Sequence, residues 1–161
     1  MPNAASVLLR PVVRADLPAL YEFQLEPESC ALAGVNPRSR EAFNAVWDKI
    51  LAGPPASDGA IARAIIADGQ LAGSIGYFRQ DQTDLIGYWI ARPHWGRAIA
   101  SRALSLMLRE VHVRPLFAHV AAHNPASLRV LAKNGFVEIG RRQSPGTERY
   151  HACEEVTLRL A

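Results

Sequence analysis

The stretch from 83 to 111 constrains this chain more than any other. An apolar run, Leu85-Ile86-Gly87-Tyr88-Trp89-Ile90-Ala91, reads as a strand that stops at Arg92-Pro93. Small residues follow at 96, 98 and 100. Ala100, Ala103, Leu104, Met107, Leu108 and Val111 then keep one face of a long helix. A short apolar strand over 115–121 comes next, so the unit reads as a strand–helix–strand crossover. The joint is also chemically suggestive. Amide N–H groups in a first helical turn lack intrahelical partners, and the helix dipole adds to their pull on an anion. Small residues at 96, 98 and 100 would let a bulky diphosphate reach that backbone. They would serve a tightly packed strand–helix joint equally well. No Gly-Lys-Ser/Thr follows, which excludes a Walker loop and nucleotide hydrolysis by that route.

The flanking elements define the architecture. Residues 6–13 read as a strand that Pro11 places at a sheet edge. Asp16 is a good N-cap for a helix carrying Leu17, Leu20, Tyr21 and Leu25. A loop rich in Gly, Asn and Pro follows. Asn36-Pro37 is expected to open a second helix, with Phe43, Val46, Trp47, Ile50 and Leu51 as its apolar stripe and Gly53-Pro54-Pro55 as its end. Asp68-Gly69 is a two-residue hairpin signal between 60–67 and 70–79. Downstream, Asn124-Pro125 caps another helix, with Leu128, Leu131 and Ala132 inward and Asn134-Gly135 as its stop. Two closing strands, 136–142 and 151–160, surround a Ser144-Pro145-Gly146 turn. The order is strand, two helices, three strands, helix, strand, helix, two strands. It predicts a mixed α/β fold whose sheet carries helices on both faces.

Composition narrows the class. A chain of 161 residues is expected to form a single domain, 1–161. Its two cysteines, Cys30 and Cys153, fit neither a disulfide scaffold nor a zinc site, so no metal is expected. No apolar run approaches the roughly 20 residues of a membrane span, and 1–4 carries no secretory pattern. The expectation is a soluble cytoplasmic protein without membrane partners, and nothing in the sequence opposes a homodimer. Between Arg92 and Arg142 nine basic residues face only Glu110 and Glu138. Such a field suits a polyanionic small molecule or a phosphate-bearing polymer. The aromatic stacking motif of RNA readers is missing, and nucleic acid is not the expected partner.

Two segments together narrow the reading further. Gly87-Tyr88-Trp89 followed by Trp95-Gly96-Arg97-Ala98-Ile99-Ala100 is the first. Asn124-Pro125-Ala126-Ser127, then Val130-Leu131-Ala132-Lys133-Asn134-Gly135-Phe136, is the second. The pair resembles the GNAT superfamily of acetyl-CoA-dependent N-acetyltransferases, closest to the branch that acetylates N-termini of ribosomal proteins. Most of the likeness lies between 84 and 140, with Leu9-Arg10-Pro11 a looser match to the family's opening. The resemblance implies a mostly antiparallel mixed sheet with one splayed strand and about four flanking helices. It implies acetyl-CoA as cosubstrate and a primary amine as acceptor, either a protein N-terminus or a small molecule. A domain that holds CoA without turnover is the alternative.

Site residues follow from the same resemblance. Trp89, Ile90 and Ala91 would pair with the pantetheine arm. Gly96, Arg97, Ala98, Ile99, Ala100, Ser101 and Arg102 would receive the phosphates, and Asn124 and Ser127 would reach the pantetheine and the sulfur. Ala98 stands where the pattern has its second Gly, and its methyl is tolerable if φ is negative there. Leu85 replaces a carboxylate that often serves as base, while the adjacent Asp84 points to the opposite face of the strand. Leu131 replaces a tyrosine acid, which leaves Ser127 as the preferred proton donor to the thiolate. The Ile90 N–H is the natural oxyanion donor. Tyr88, His119, His123 and a water chain compete for the role of base. Trp47, Trp89 and Trp95 read as core or wall residues. Glu26, Glu28 and Glu41 could attract a cationic amine or simply form a solvated face.

Overall fold

The computed structural model describes residues 5–161. Twelve elements follow in chain order. They are β1 (Val7–Pro11), α1 (Leu17–Phe23), α2 (Pro27–Ala33), α3 (Arg40–Ala52), β2 (Ile61–Ala67), β3 (Gln70–Gln80), β4 (Thr83–Ile90), α4 (Ile99–Glu110), β5 (Leu116–Ala121), α5 (Pro125–Lys133), β6 (Val137–Ser144) and β7 (Cys153–Leu160). Short 3₁₀ turns occupy Arg14–Asp16 and Arg92–His94. The strands form one sheet in the order β1-β2-β3-β4-β5-β7-β6. Every neighbouring pair is antiparallel except β4 with β5. The Pro11 strand is an edge, as its missing N–H donor requires.

Side-chain alternation explains the layering. Ile65 and Ala67 of β2 join Ala103, Leu104 and Met107 of α4 and Leu131 of α5 in one core, with Leu116, Val156 and Leu158. Ala64 and Ile66 of the same strand meet Leu17, Leu20 and Phe43 of α1 and α3 in the other. Helices therefore cover both faces, as the element order predicts. Asp68 (φ 49°) and Gly69 (φ 80°) make the expected tight hairpin. No helix among the described residues is long and apolar enough to cross a membrane. Nor do three or more of their His, Cys, Asp and Glu side chains form a group fit for a metal.

Three local expectations are corrected. The stretch after α1 is not all loop: Glu26 accepts from Glu28 N and Ser29 N, Pro27 takes the first helical position, and Gly34 closes α2 at φ 68°. Asn36-Pro37 does not open α3. Ser39 caps it through Ala42 N at 3.1 Å, because Asn36 is drawn into long-range bonds. Its N–H reaches Arg149 O at 2.7 Å, its Nδ2 reaches Glu148 O at 2.9 Å, and its Oδ1 lies 2.8 Å from His151 Nε2. Asp16, the expected cap of α1, instead takes both Arg10 guanidinium nitrogens at 2.8 Å and the Val13 N–H at 2.9 Å. The Arg10 hydrogen bonds hold that buried carboxyl below the usual range.

Candidate active site

Strand β4 pairs with β3 along its whole length, from Gln80↔Thr83 to Gly73↔Ile90. With β5 it pairs only at Leu85↔Phe117. Beyond that point the two parallel neighbours part, and a cleft of about 450 Å³ opens between them. Backbone alternation decides which amides face it. The Ala91 N–H donates to Ala72 O at 2.7 Å, so Trp89 and Ala91 are spent on β3 while the Ile90 and Tyr88 N–H groups turn toward the gap. The Ile90 carbonyl points the same way, and the Trp95 indole N–H takes it at 2.9 Å. Ile90 thus presents an N–H to the cleft beside a carbonyl already satisfied.

The floor of the cleft is the start of α4. Gly96 (φ 79°) and Ala98 (φ 59°, ψ 21°) turn the chain, and no side chain caps the helix. The first helical bond is from Arg102 N–H to Ala98 O at 3.2 Å. The amides of Ile99, Ala100 and Ser101 precede it and are left for a ligand. By contrast, Glu26, Ser39 and Asn124 cap α2, α3 and α5 with their side chains. An open, small-residue turn under uncapped amides fits a diphosphate. The expectation of a negative φ at Ala98 is overturned, because the turn needs a left-handed residue just before α4. Ala98→Gly is therefore expected to stabilise the fold by about 0.5–1 kcal/mol, the left-handed strain of a Cβ less the added chain entropy of glycine. A thermal melt checks this, with a rise of about 2–4 °C for a full kcal/mol.

The two faces of the sheet give the cleft two sides. On the α4–α5 side Tyr88 Oη lies 2.6 Å from Ser127 Oγ and 3.4 Å from Ser127 O. Burial pushes the Tyr88 phenol up to about 12, against a smaller downward pull from Ser127. Asn124 Oδ1 caps α5 by accepting from Ser127 N at 3.3 Å. On the α1–α2 side stand Ser29, Leu32 and Ala33 of α2, with Trp89, whose indole donates to Phe23 O at 3.1 Å.

Most expected residues meet here: Tyr88, Trp89, Ile90, Gly96, Ala98, Ile99, Ala100, Ser101, Asn124 and Ser127 all line the cleft. Three do not. Ala91 is buried behind β3, Arg97 is paired with Asp68 of the hairpin, and Arg102 is exposed on α4 outside the cleft. Asp68 also accepts from Ser6 N at 2.9 Å, and that bond and Arg97 hold its carboxyl below the usual range. The acidic residues of α2 are likewise engaged: Glu26 caps the helix and faces Arg92 at 3.5 Å, and Glu28 pairs with Arg92. Asp84 is turned away from the cleft and accepts from Tyr77 Oη at 2.6 Å. His123 is occupied by Ala31 O at 2.8 Å, whereas His119 lines the cleft. Ser29, Leu32, Ala33 and His94 were not expected there. The signal for the first three was the Glu26-Pro27 start of α2.

A parted strand pair whose free amide leads to an uncapped helix start has room for an extended arm along the strand and free donors for an anionic group at the helix start. Residues 6–137 match the family described as the acetyltransferase (GNAT) domain. The chain belongs to that family of acetyl-CoA-dependent acetyltransferases. Among solved structures it is similar to RimL, a ribosomal L7/L12 α-N-protein acetyltransferase, with TM-score 0.77 and 20% identity over 96% of this chain and 90% of that one. It is also similar to Mycobacterium smegmatis RimJ in complex with a CoA disulfide, with TM-score 0.75 and 27% identity over 98% and 82%. A ribosomal-protein-alanine N-acetyltransferase from Brucella melitensis gives TM-score 0.76 and 20% identity over 95% and 98%. Comparison with curated proteins gives no match.

Proposed function

We propose that the protein acetylates the α-amine of a polypeptide N-terminus by direct attack on the acetyl-CoA thioester. The observation that carries this reading is the parting of β4 from β5 after Leu85, which leaves the Ile90 N–H free above the uncapped start of α4. Residues of α2 line the cleft from one face of the sheet and those of α4 and α5 from the other, an arrangement that suits a donor and an acceptor held on opposite sides. The likeness to RimL, a ribosomal L7/L12 α-N-protein acetyltransferase, and to the Brucella ribosomal-protein-alanine N-acetyltransferase supports a protein α-amine as the acceptor.

The chemistry needs few groups. The thioester lies along β4 with its carbonyl oxygen toward the Ile90 N–H, and the diphosphate rests on the amides of Ile99, Ala100 and Ser101. Attack by the amine forms the C–N bond and moves the carbonyl pair onto oxygen. Hydrogen bonding from Ile90 stabilises that charge, a contribution of about 2.7–4 kcal/mol where such a donor is well placed. Collapse breaks the C–S bond and leaves a thiolate. Tyr88, kept protonated by burial, lies 2.6 Å from Ser127 Oγ; with the phenol as donor the Ser127 hydroxyl protonates the sulfur and regains its proton from the acylated nitrogen. Tyr88 in this reading supports the acid and is no base.

Ser127→Ala is expected to lower kcat by about 10²-fold with little change in acetyl-CoA affinity. Tyr88→Phe should cost less, and the double variant should cost no more than Ser127→Ala alone, since the two act as one unit. Free-thiol release and calorimetry measure these terms. Weaker binding at unchanged kcat would reduce Ser127 to a cofactor contact. The acceptor is tested with acetyl-CoA and a panel of peptide N-termini, polyamines, aminoglycosides and amino acids. Peptide-dependent CoA release supports the reading. Tight acetyl-CoA binding with no release from any amine would support a CoA-holding domain.

A further inference from the structure

We infer that His119 is the base that deprotonates the acceptor amine, with Glu155 and Thr157 as its positioning residues; the inference rests on the proposed acetylation of an α-amine. His119 sits on β5 facing the cleft, and its side chain is 42% exposed. Its residue parity matters. Leu116, Ala118 and Val120 point into the α4–α5 core, so Phe117, His119 and Ala121 point to the other face. Ala121 confirms this side, because a Cβ on Gly34 at the end of α2 would lie 3.6 Å from its own Cβ. His119 therefore stands on the acceptor side of the gap, across the sheet from the Tyr88–Ser127 pair.

The ring is held from behind. Nδ1 lies 3.2 Å from Thr157 Oγ1 and 3.6 Å from Glu155 Oε1, both on β7, and Arg142 Nε of β6 donates to the same Glu155 oxygen at 3.2 Å. A proton on Nδ1, facing that carboxylate, leaves Nε2 as the lone-pair nitrogen on the free side of the ring. The α2 residues lining the cleft are Ser29, Leu32 and Ala33, none of them titratable. From β4 come Trp89 and the buried phenol of Tyr88, and from the turn after β4 comes His94, whose Nδ1 is buried without a partner among the described residues. Asp84 is turned away onto Tyr77, and His123 is held by Ala31 O. Glu155, with Arg142 behind it, is then the charged pair set against His119.

The task is real because a peptide α-amine, with a pKa of about 7.7–8.0, is mostly protonated at pH 7. In the step assigned here the proton leaves the amine nitrogen for Nε2, and the freed lone pair attacks the thioester carbon. The C–S bond breaks, the sulfur gains its proton from Ser127, the acylated nitrogen gives up its second proton to restore the Ser127 hydroxyl, and the proton on His119 passes to solvent.

The test uses the full chain, acetyl-CoA and a short peptide with a free alanyl N-terminus, with kcat/KM measured from pH 6 to 10. His119→Asn retains a polar atom near Thr157. It is expected to lose about 10-fold at pH 7, the ratio of protonated to free amine at a pKa near 8, to regain most of that by pH 9–10 where the amine is free in solution, and to bind acetyl-CoA with unchanged affinity. Glu155→Gln should fold, bind the coenzyme normally and lower kcat/KM at pH 7 by less than His119→Asn does, because Thr157 still holds Nδ1, with that loss again recovered by pH 9–10. A loss equal at every pH, or no loss at all, overturns the role of His119. If the wild type turns over no amine of any kind, it is the acetylation reading that fails, and the two failures are thereby separate.

Discussion

Replacing Gly73 with alanine is expected to cost about 4 kcal/mol or more of stability and to remove acetyl-CoA binding with it. Gly73 pairs with Ile90 at the end of β4 where the cleft begins. A Cβ there would lie 1.9 Å from Trp89 O, 3.0 Å from Trp89 C and 3.1 Å from Ile90 Cα. All three are backbone atoms, so no rotamer change relieves the clash, and the strands themselves must separate. The separation would disturb the register that aims the Ile90 N–H at the gap, and with it the Trp95 bond to the Ile90 carbonyl. Gly76, three residues on, is the control: its nearest neighbour to an added Cβ is Ile61 O at 3.5 Å, an ordinary contact. Gly76→Ala should change stability by less than about 1 kcal/mol. At roughly 2–4 °C per kcal/mol for a chain of this size, Gly73→Ala should melt about 8–16 °C lower than the wild type. Equal melting temperatures for the two variants would mean that β3 and β4 yield where the contacts say they cannot.

What the sequence made legible was local. Asp68-Gly69 specifies its own turn, Asn124-Pro125 its own cap, and the apolar face of 100–111 its own helix, because each signal and its consequence lie within a few residues. The uncapped start of α4 was readable for the same reason: nothing in Gly96 to Ala98 can cap it. The misread parts were decided elsewhere in the chain. Asn36 looks like a cap until Glu148, Arg149 and His151 claim it from more than 110 residues away. The pairing of Arg97 with Asp68, 29 residues earlier, is equally invisible in the local sequence. His119 and His123 are alike in sequence. Only the β7 partners of one, and the α2 carbonyl that occupies the other, tell them apart. The left-handed φ of Ala98 was hidden by a rule that is sound inside a helix and does not govern the residue before it.

Gly96→Glu should weaken acetyl-CoA binding by more than about 10²-fold while leaving the protein folded. The position separates two effects. Gly96 has φ 79° and no atom within 4 Å of an added Cβ, so any side chain fits but pays left-handed strain of about 1–2 kcal/mol. Gly96→Ala carries that strain alone, and its coenzyme affinity should fall only modestly. The glutamate variant adds a carboxylate beside the free amides of Ile99, Ala100 and Ser101. A carboxylate is itself welcome at a helix start, by about 0.3–1 kcal/mol, so it offsets part of the strain. It competes for the same donors as the diphosphate and repels it, by about 4 kcal/mol for two unit charges 4 Å apart at an effective dielectric of 20. Calorimetry on the three proteins at low and high salt measures the difference. The gap between the glutamate and alanine variants should narrow with salt, because the repulsion is screened while the strain is not. Equal affinities for those two variants would move the diphosphate away from the start of α4 and leave its uncapped amides without a role.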